Sequence, residues 1–142
     1  MAGFNDILEA LRTDLETDSA LKALCLSKWR KAQMVKIFYK KRIEVGLDEY
    51  PLIFLTRPIK KGSSTENVHT CRIFYGFKQD DREAAAKEAI DFEEAIDAAL
   101  HASKAADKYS LYIQPTSTVN DEGVYHPVYF GAKEVEIEQP IS

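Results

Sequence analysis

Phe4, Leu8, Leu11 and Leu15 recur at i, i+4, i+7 and i+11, with Ile7 beside them. That spacing gathers the apolar residues on one side of a helix and predicts an amphipathic helix over residues 4–16. Thr17-Asp18-Ser19 then offers a break and a new N-cap, so residues 20–26 read as a second short helix or a continuation. Beyond them the period changes to two. Val35, Ile37 and Tyr39 alternate with Lys36, Phe38 and Lys40, the pattern of a strand with one drier face. Residues 52–56 are almost continuously apolar between Pro51 and Pro58, which predicts a short strand buried on both faces. Cys71, Ile73, Tyr75 and Phe77 alternate with Thr70, Arg72, Phe74 and Gly76 in a third strand. Residues 60–67, with Gly62-Ser63-Ser64-Thr65 and no large apolar side chain, are expected to be a mobile loop. It would join 52–57 and 69–77 as a long-looped hairpin.

Asp80 followed by Glu83 has the form of a capping box, and Ala85, Ala89, Phe92, Ile96 and Leu100 continue as a helical stripe to about residue 103. Acids crowd the start of this helix, while His101 and Lys104 lie at its end, both favourable to the helix dipole. Residues 109–113 and 127–137 read as two final strands separated by a polar loop over 115–123. The order α, β, β, β, α, β, β predicts a single α+β domain over 1–142. It would hold a mixed or antiparallel sheet of about five strands, with the N-terminal helix and one long central helix packed on it.

Charge changes this picture most. Between Lys28 and Lys61 the chain carries ten basic residues against three acids, whereas the remainder carries nine against twenty. Such asymmetry can present one positive and one negative surface, suited to a polyanion, a partner or further copies of the same chain. Cys25 and Cys71 have no paired spacing and read as reduced, mostly buried thiols of a cytosolic protein. Residues 1–15 mix Asn5, Asp6, Glu9, Arg12 and Asp14 into their apolar positions, so neither a signal peptide nor a membrane span is expected there.

Candidate chemistry is sparse. His69 and Cys71 would point the same way from a strand, but that is half of a zinc site, and His101 and His126 stand apart. A cysteine nucleophile would need Cys25 or Cys71 to meet a histidine such as His126 through the fold, with no local signature for it. Asp80, Asp81, Glu83, Glu88, Asp91, Glu93, Glu94 and Asp97 fall at helical spacing and are expected to fill a solvated face. None of the six glycines forms a dinucleotide or phosphate-binding motif. No catalytic, cofactor or metal residue is expected, and the protein does not read as an enzyme. In the basic segment Trp29 sits within Lys28-Trp29-Arg30-Lys31, and Phe38-Tyr39 precede Lys40-Lys41-Arg42. Cations and aromatics interleave this way on nucleic-acid surfaces. A pI near 5.4 opposes a dedicated DNA binder. Complementarity between the basic segment and the acidic helix of a neighbouring copy accounts for both halves of the charge pattern.

Taken together, the N-terminal stripe Phe4-Leu8-Leu11-Leu15, Tyr50-Pro51 before the apolar strand and the strand end Ile73-Phe74-Tyr75-Gly76-Phe77 form an ordered set. With the acid-started helix, Pro127-Val128-Tyr129-Phe130 and Val135-Glu136-Ile137, the chain resembles the tail-terminator, or tail-completion, proteins of long-tailed bacteriophages and prophages. The resemblance implies a structural protein without cofactors that closes into a ring, typically a hexamer, on the head-proximal end of the tail tube. Such a protein stops tube growth and allows head joining. Implied partners are further copies, the tail-tube protein and a head-completion or neck protein, with no membrane and with DNA only as the transiting genome. Implied locations are the bacterial host cytoplasm during assembly and the virion tail. The expected contact residues are Trp29, Arg30, Lys31, Arg57, Lys60 and Lys61, with Asp91, Glu94 and Asp97 as their acidic counterpart. Two alternatives remain open: a nucleic-acid-binding accessory protein using residues 28–61, and a head–tail neck or stopper protein.

Overall fold

The computed structural model describes residues 3–37 and 46–140. The N-terminal stripe folds as helix α1, Phe4–Thr17, which buries Ile7, Leu8, Leu11 and Leu15. Asp18 ends it and caps the next: its carboxylate accepts the Leu21 N–H at 2.8 Å and starts α2, Ser19–Trp29. Arg30, at φ 58°, closes α2 in the left-handed region and donates its N–H to the Leu26 carbonyl. Strand β1, Met34–Ile37, lies parallel to β2, Leu52–Gly62, with a short 3₁₀ turn at Leu47–Glu49 between them. Strand β3, Glu66–Lys78, returns antiparallel to β2. Helices α3, Arg82–His101, and α4, Lys104–Tyr109, follow, and strands β4, Tyr112–Asn120, and β5, Val128–Pro140, end the described chain. The sheet order is β1-β2-β3-β5-β4, mixed because β1 alone is parallel to its neighbour. Pro51 and Pro127, at the starts of β2 and β5, follow cis peptide bonds.

Alternation along the strands divides the sheet into two unlike faces. Cys71, Ile73, Tyr75 and Phe77 of β3 point inward with Ile53, Leu55, Val135 and Ile137, and all the helices contribute to this core. Phe92 of α3 is fully buried among Trp29, Tyr75 and Phe77. Residues of the opposite face line up in rows across the strands, read from the pairing. Met34, Leu52, Gly76 and Phe130 form one; Lys36, Phe54, Phe74, Ala132 and Val119 the next; then Thr56, Arg72, Glu134 and Ser117. Ile59, Thr70, Glu136 and Gln114 precede a last row of Lys61, Val68, Glu138 and Tyr112. Among the described residues no helix residue joins the small cluster on this face, where Tyr50 covers Leu52 and Phe130.

Three expectations need correction. Residues 60–67 are not a loop: the hairpin continues pairing to Gly62↔Asn67, leaving only 63–65 as the turn. Ser63 holds that turn by accepting the Glu66 N–H at 3.1 Å and donating to the Glu66 carbonyl. Residues 109–113 and 115–123 also divide differently. Tyr109 ends a helix that Ser103 caps, and residues 115–120 are strand although they include Pro115. Proline is tolerated because β4 is an edge strand, and the register shifts between Pro115 and Ser117. The long helix is capped by Asp81, not Asp80: the Asp81 carboxylate accepts the Ala84 N–H at 3.0 Å. The predicted Tyr39 strand position and Phe38, Lys40, Lys41, Arg42 and Glu44 lie outside the described residues. Among the described residues no helix is long and apolar enough to cross a membrane.

Candidate assembly interface

Among the described residues the cations of the basic segment fall into two separate groups. Lys28, Arg30 and Lys31 lie just before β1, whose Met34 pairs with Leu52 at the start of β2. Arg57, Lys60 and Lys61 lie on the far half of β2. At ~3.3 Å per strand residue, roughly 30 Å separates Leu52 from Lys61. The first group is engaged locally: Lys28 Nζ reaches Asp91 at 3.8 Å, and Lys31 donates to the Asp48 carbonyl. Trp29 is half-buried against the core. Its ring lies 4.8 Å from that of Phe77 and 4.9 Å from that of Phe92, and its indole N–H donates to Glu88 at 3.0 Å. The interleaving of aromatic and cation at 28–31 is therefore the exposed half of a helix whose other half is core.

The second group forms an arm. From Arg57 to Thr65 every residue is exposed, and among the described residues β1 flanks β2 from Leu52 to Leu55. Arg57 roots the arm by donating to His69 Nδ1 at 3.3 Å while its guanidinium lies 5.2 Å from the centre of the Phe4 ring. With Nδ1 accepting, the other ring nitrogen donates to Gln139 Oε1 at 3.0 Å, so these partners specify a neutral tautomer. His69 is 1 % exposed and stacked on Phe4 at 3.8 Å. Burial lowers its pKa below 6.5; the Gln139 hydrogen bond opposes the shift, and the charges of Arg57 and Lys60 add to it. The pair His69 and Cys71 therefore reads as core. Lys60 and Lys61 form no hydrogen bond or ion pair among the described residues.

The sign of the His69 shift gives a testable pH dependence. Below pH 6.5 the unfolded chain binds a proton that the folded imidazole resists, so stability falls as pH falls through that window. Urea titrations at pH 7.5 and 5.5 should show this loss in the wild type and a smaller one in His69→Gln. Equal losses would show that His69 is not its source.

The acidic counterpart is likewise divided. Asp91 pairs with Lys28, and Asp97 faces the ammonium of Lys133 at 3.0 Å. Lys133 is 1 % exposed and donates an aligned hydrogen bond to Thr118 Oγ1 at 2.6 Å, leaving Asp97 as its counter-ion. Only Glu94 of the three is exposed without a partner among the described residues. The expected solvated face of α3 also fails at Glu88, which is 6 % exposed and accepts from Gln79 Nε2 at 2.8 and 2.9 Å in addition to Trp29. Glu93 accepts from the Tyr75 hydroxyl. Acids unspent by the fold lie elsewhere: Glu134, Glu136 and Glu138 share the open face of β5. Arg72 approaches Glu134 at 3.9 Å, while Glu136 and Glu138 have no partner among the described residues. The alternation Glu134-Val135-Glu136-Ile137-Glu138 carried that signal in the sequence.

The residues weighed for cysteine chemistry have other surroundings. Cys25 and Cys71 are buried, and burial pushes each thiol up to about 12, which disfavours the thiolate. His126 Nδ1 is hydrogen-bonded to the Tyr129 hydroxyl at 2.5 Å. No family model matches this sequence, and no curated protein matches it.

Proposed function

We propose that this protein is a structural assembly subunit that acts as a phage or prophage tail terminator. In this role it closes on further copies of itself at the head-proximal end of the tail tube. The observation that carries the reading is the exposed β2–β3 arm. Its root is fixed by Arg57, His69 and Phe4, and its two lysines have no ion-pair partner among the described residues. A fold that leaves two lysines without an ion pair on an anchored strand forgoes the local pairing it gives Lys28, and an acidic surface on a neighbour supplies what is missing. The order of elements and the residues that carry the family resemblance support the same reading. Of the expected contact residues, Arg57, Lys60 and Lys61 keep that role; Trp29, Asp91 and Asp97 serve the fold, and Lys31 spends its ammonium on a backbone carbonyl.

Reversal of the two lysines tests this. Lys60→Glu/Lys61→Glu, made in the genome that carries the gene, is expected to leave the purified protein's thermal melt unchanged. Joined particles should fall by at least about tenfold, from loss of charge complementarity. Unchanged particle yield would remove the arm from the interface.

A further inference from the structure

We infer that the helix-free face of the sheet is a two-fold contact surface for a second copy of this chain. The face offers an apolar end, built on the Phe54–Phe74 stack at 4.7 Å, and a charged end that holds Lys61 and Glu138 in one row. Strands β2 and β5 flank β3 on either side. A two-fold axis lying between two such faces, parallel to β3, sets β2 of one copy over β5 of the other without shifting the rows. Lys61 then meets Glu138 of the second copy twice over, Phe54 meets Ala132 and Phe74 its own equivalent, while Arg72, beside Glu134, faces its own equivalent across the axis. An axis across the strands would instead put the apolar end on the charged end. Aligned sheets pack ~10 Å apart with a relative rotation of about 30°, an offset that the long lysine and glutamate side chains can follow.

Three strands run through all five rows, with β4 adding four positions and β1 two, a face of roughly 600 Å², somewhat below the ~800 Å² per partner of a standard interface. Neither Lys61 nor Glu138 has a partner among the described residues of its own chain. Isologous pairing uses one surface twice and is the commonest form of self-association. The inference does not rest on the tail reading.

Sedimentation velocity on the full chain tests it, with Lys61→Glu, Glu138→Lys, their equimolar mixture and Val119→Lys. The wild type is expected to dimerise, and each variant should weaken dimerisation at least about tenfold with an unchanged melt. In the mixed dimer the Lys61→Glu copy is acidic at both positions and the Glu138→Lys copy is basic at both. Each of the two contacts then joins opposite charges again, so wild-type affinity should return. Val119→Lys adds a charge at an exposed apolar position and keeps the test valid should either charge reversal perturb folding. A wild type monomeric up to about 1 mM overturns the inference. So do single variants that dimerise like the wild type, or a mixture as weak as its components. Val119 lies away from the arm, so Val119→Lys can fail here while the particle assay succeeds, and the reverse.

Discussion

Asp97→Ala is expected to lower the unfolding free energy by about 3 kcal/mol, because it strands the Lys133 ammonium without a counter-ion at a site only 1 % exposed. Thr118 still accepts one hydrogen bond and the Asp97 side chain is 43 % exposed, which keep the loss at or below the low end for a broken buried pair. The double variant Asp97→Ala/Lys133→Met removes both charges and should recover most of that loss, since an apolar side chain of similar length suits the surrounding core. Urea unfolding followed by the fluorescence of Trp29, the one tryptophan of the chain, measures both. A change below about 0.5 kcal/mol in Asp97→Ala would mean that the ammonium is solvated and Asp97 is free for an interface, as its sequence position first implied.

Trp29→Ala should cost a similar amount, about 3 kcal/mol, through the cavity left between Phe77 and Phe92. The lost indole N–H also leaves Glu88 with Gln79 alone, in a place 6 % exposed. Trp29→Phe keeps most of the stacking and gives up the hydrogen bond, so about 1 kcal/mol is expected. Circular dichroism must follow these variants, since the fluorophore is gone. In the interface reading of Trp29 the order reverses: assembly would weaken and the urea midpoint would stay where it is.

These two residues show where sequence reasoning succeeded and where it stopped. Periodicity was a reliable guide wherever one face is buried: Phe4 to Leu15, Cys71 to Phe77 and Ala85 to Leu100 all form the predicted elements with the predicted residues inward. Asp18 was legible as a cap because the apolar stripe breaks beside it. The same reasoning chose Asp80 over Asp81, since two adjacent acids offer the same chemistry and only the entry path of the chain selects one. Pro115 and Gly62 marked loops by composition, yet both lie in strands: Pro115 on the edge strand β4, where a missing donor costs little, and Gly62 at the very end of β2 beside the turn. Glu88 was misplaced because residue type was allowed to outweigh period. Lys133 shares its face of β5 with Val135 and Ile137, and the alternation alone puts it inside. Its partner, on a helix more than thirty residues earlier, carries no local signal. Pairwise burial of charge is a property of the assembled core and cannot be read from one segment.

For the candidate interface, the sequence exposed the charge imbalance but not its division. Two lysine-bearing segments joined in sequence by a strand are carried to opposite ends of that strand. The helix acids that looked like their match are partly consumed by Lys28 and Lys133. The arm and the β5 glutamates remained once those local pairs were subtracted.

Tail-tube length is the measurement that bears most directly on the account as a whole. Tube subunits encoded by the same genome would be polymerised with and without the purified full chain, and lengths read by negative-stain electron microscopy. The account predicts arrested growth, with added density on one tube end, and restored growth when Lys60→Glu/Lys61→Glu replaces the wild type. An unchanged length distribution with bare ends at saturating protein would contradict it.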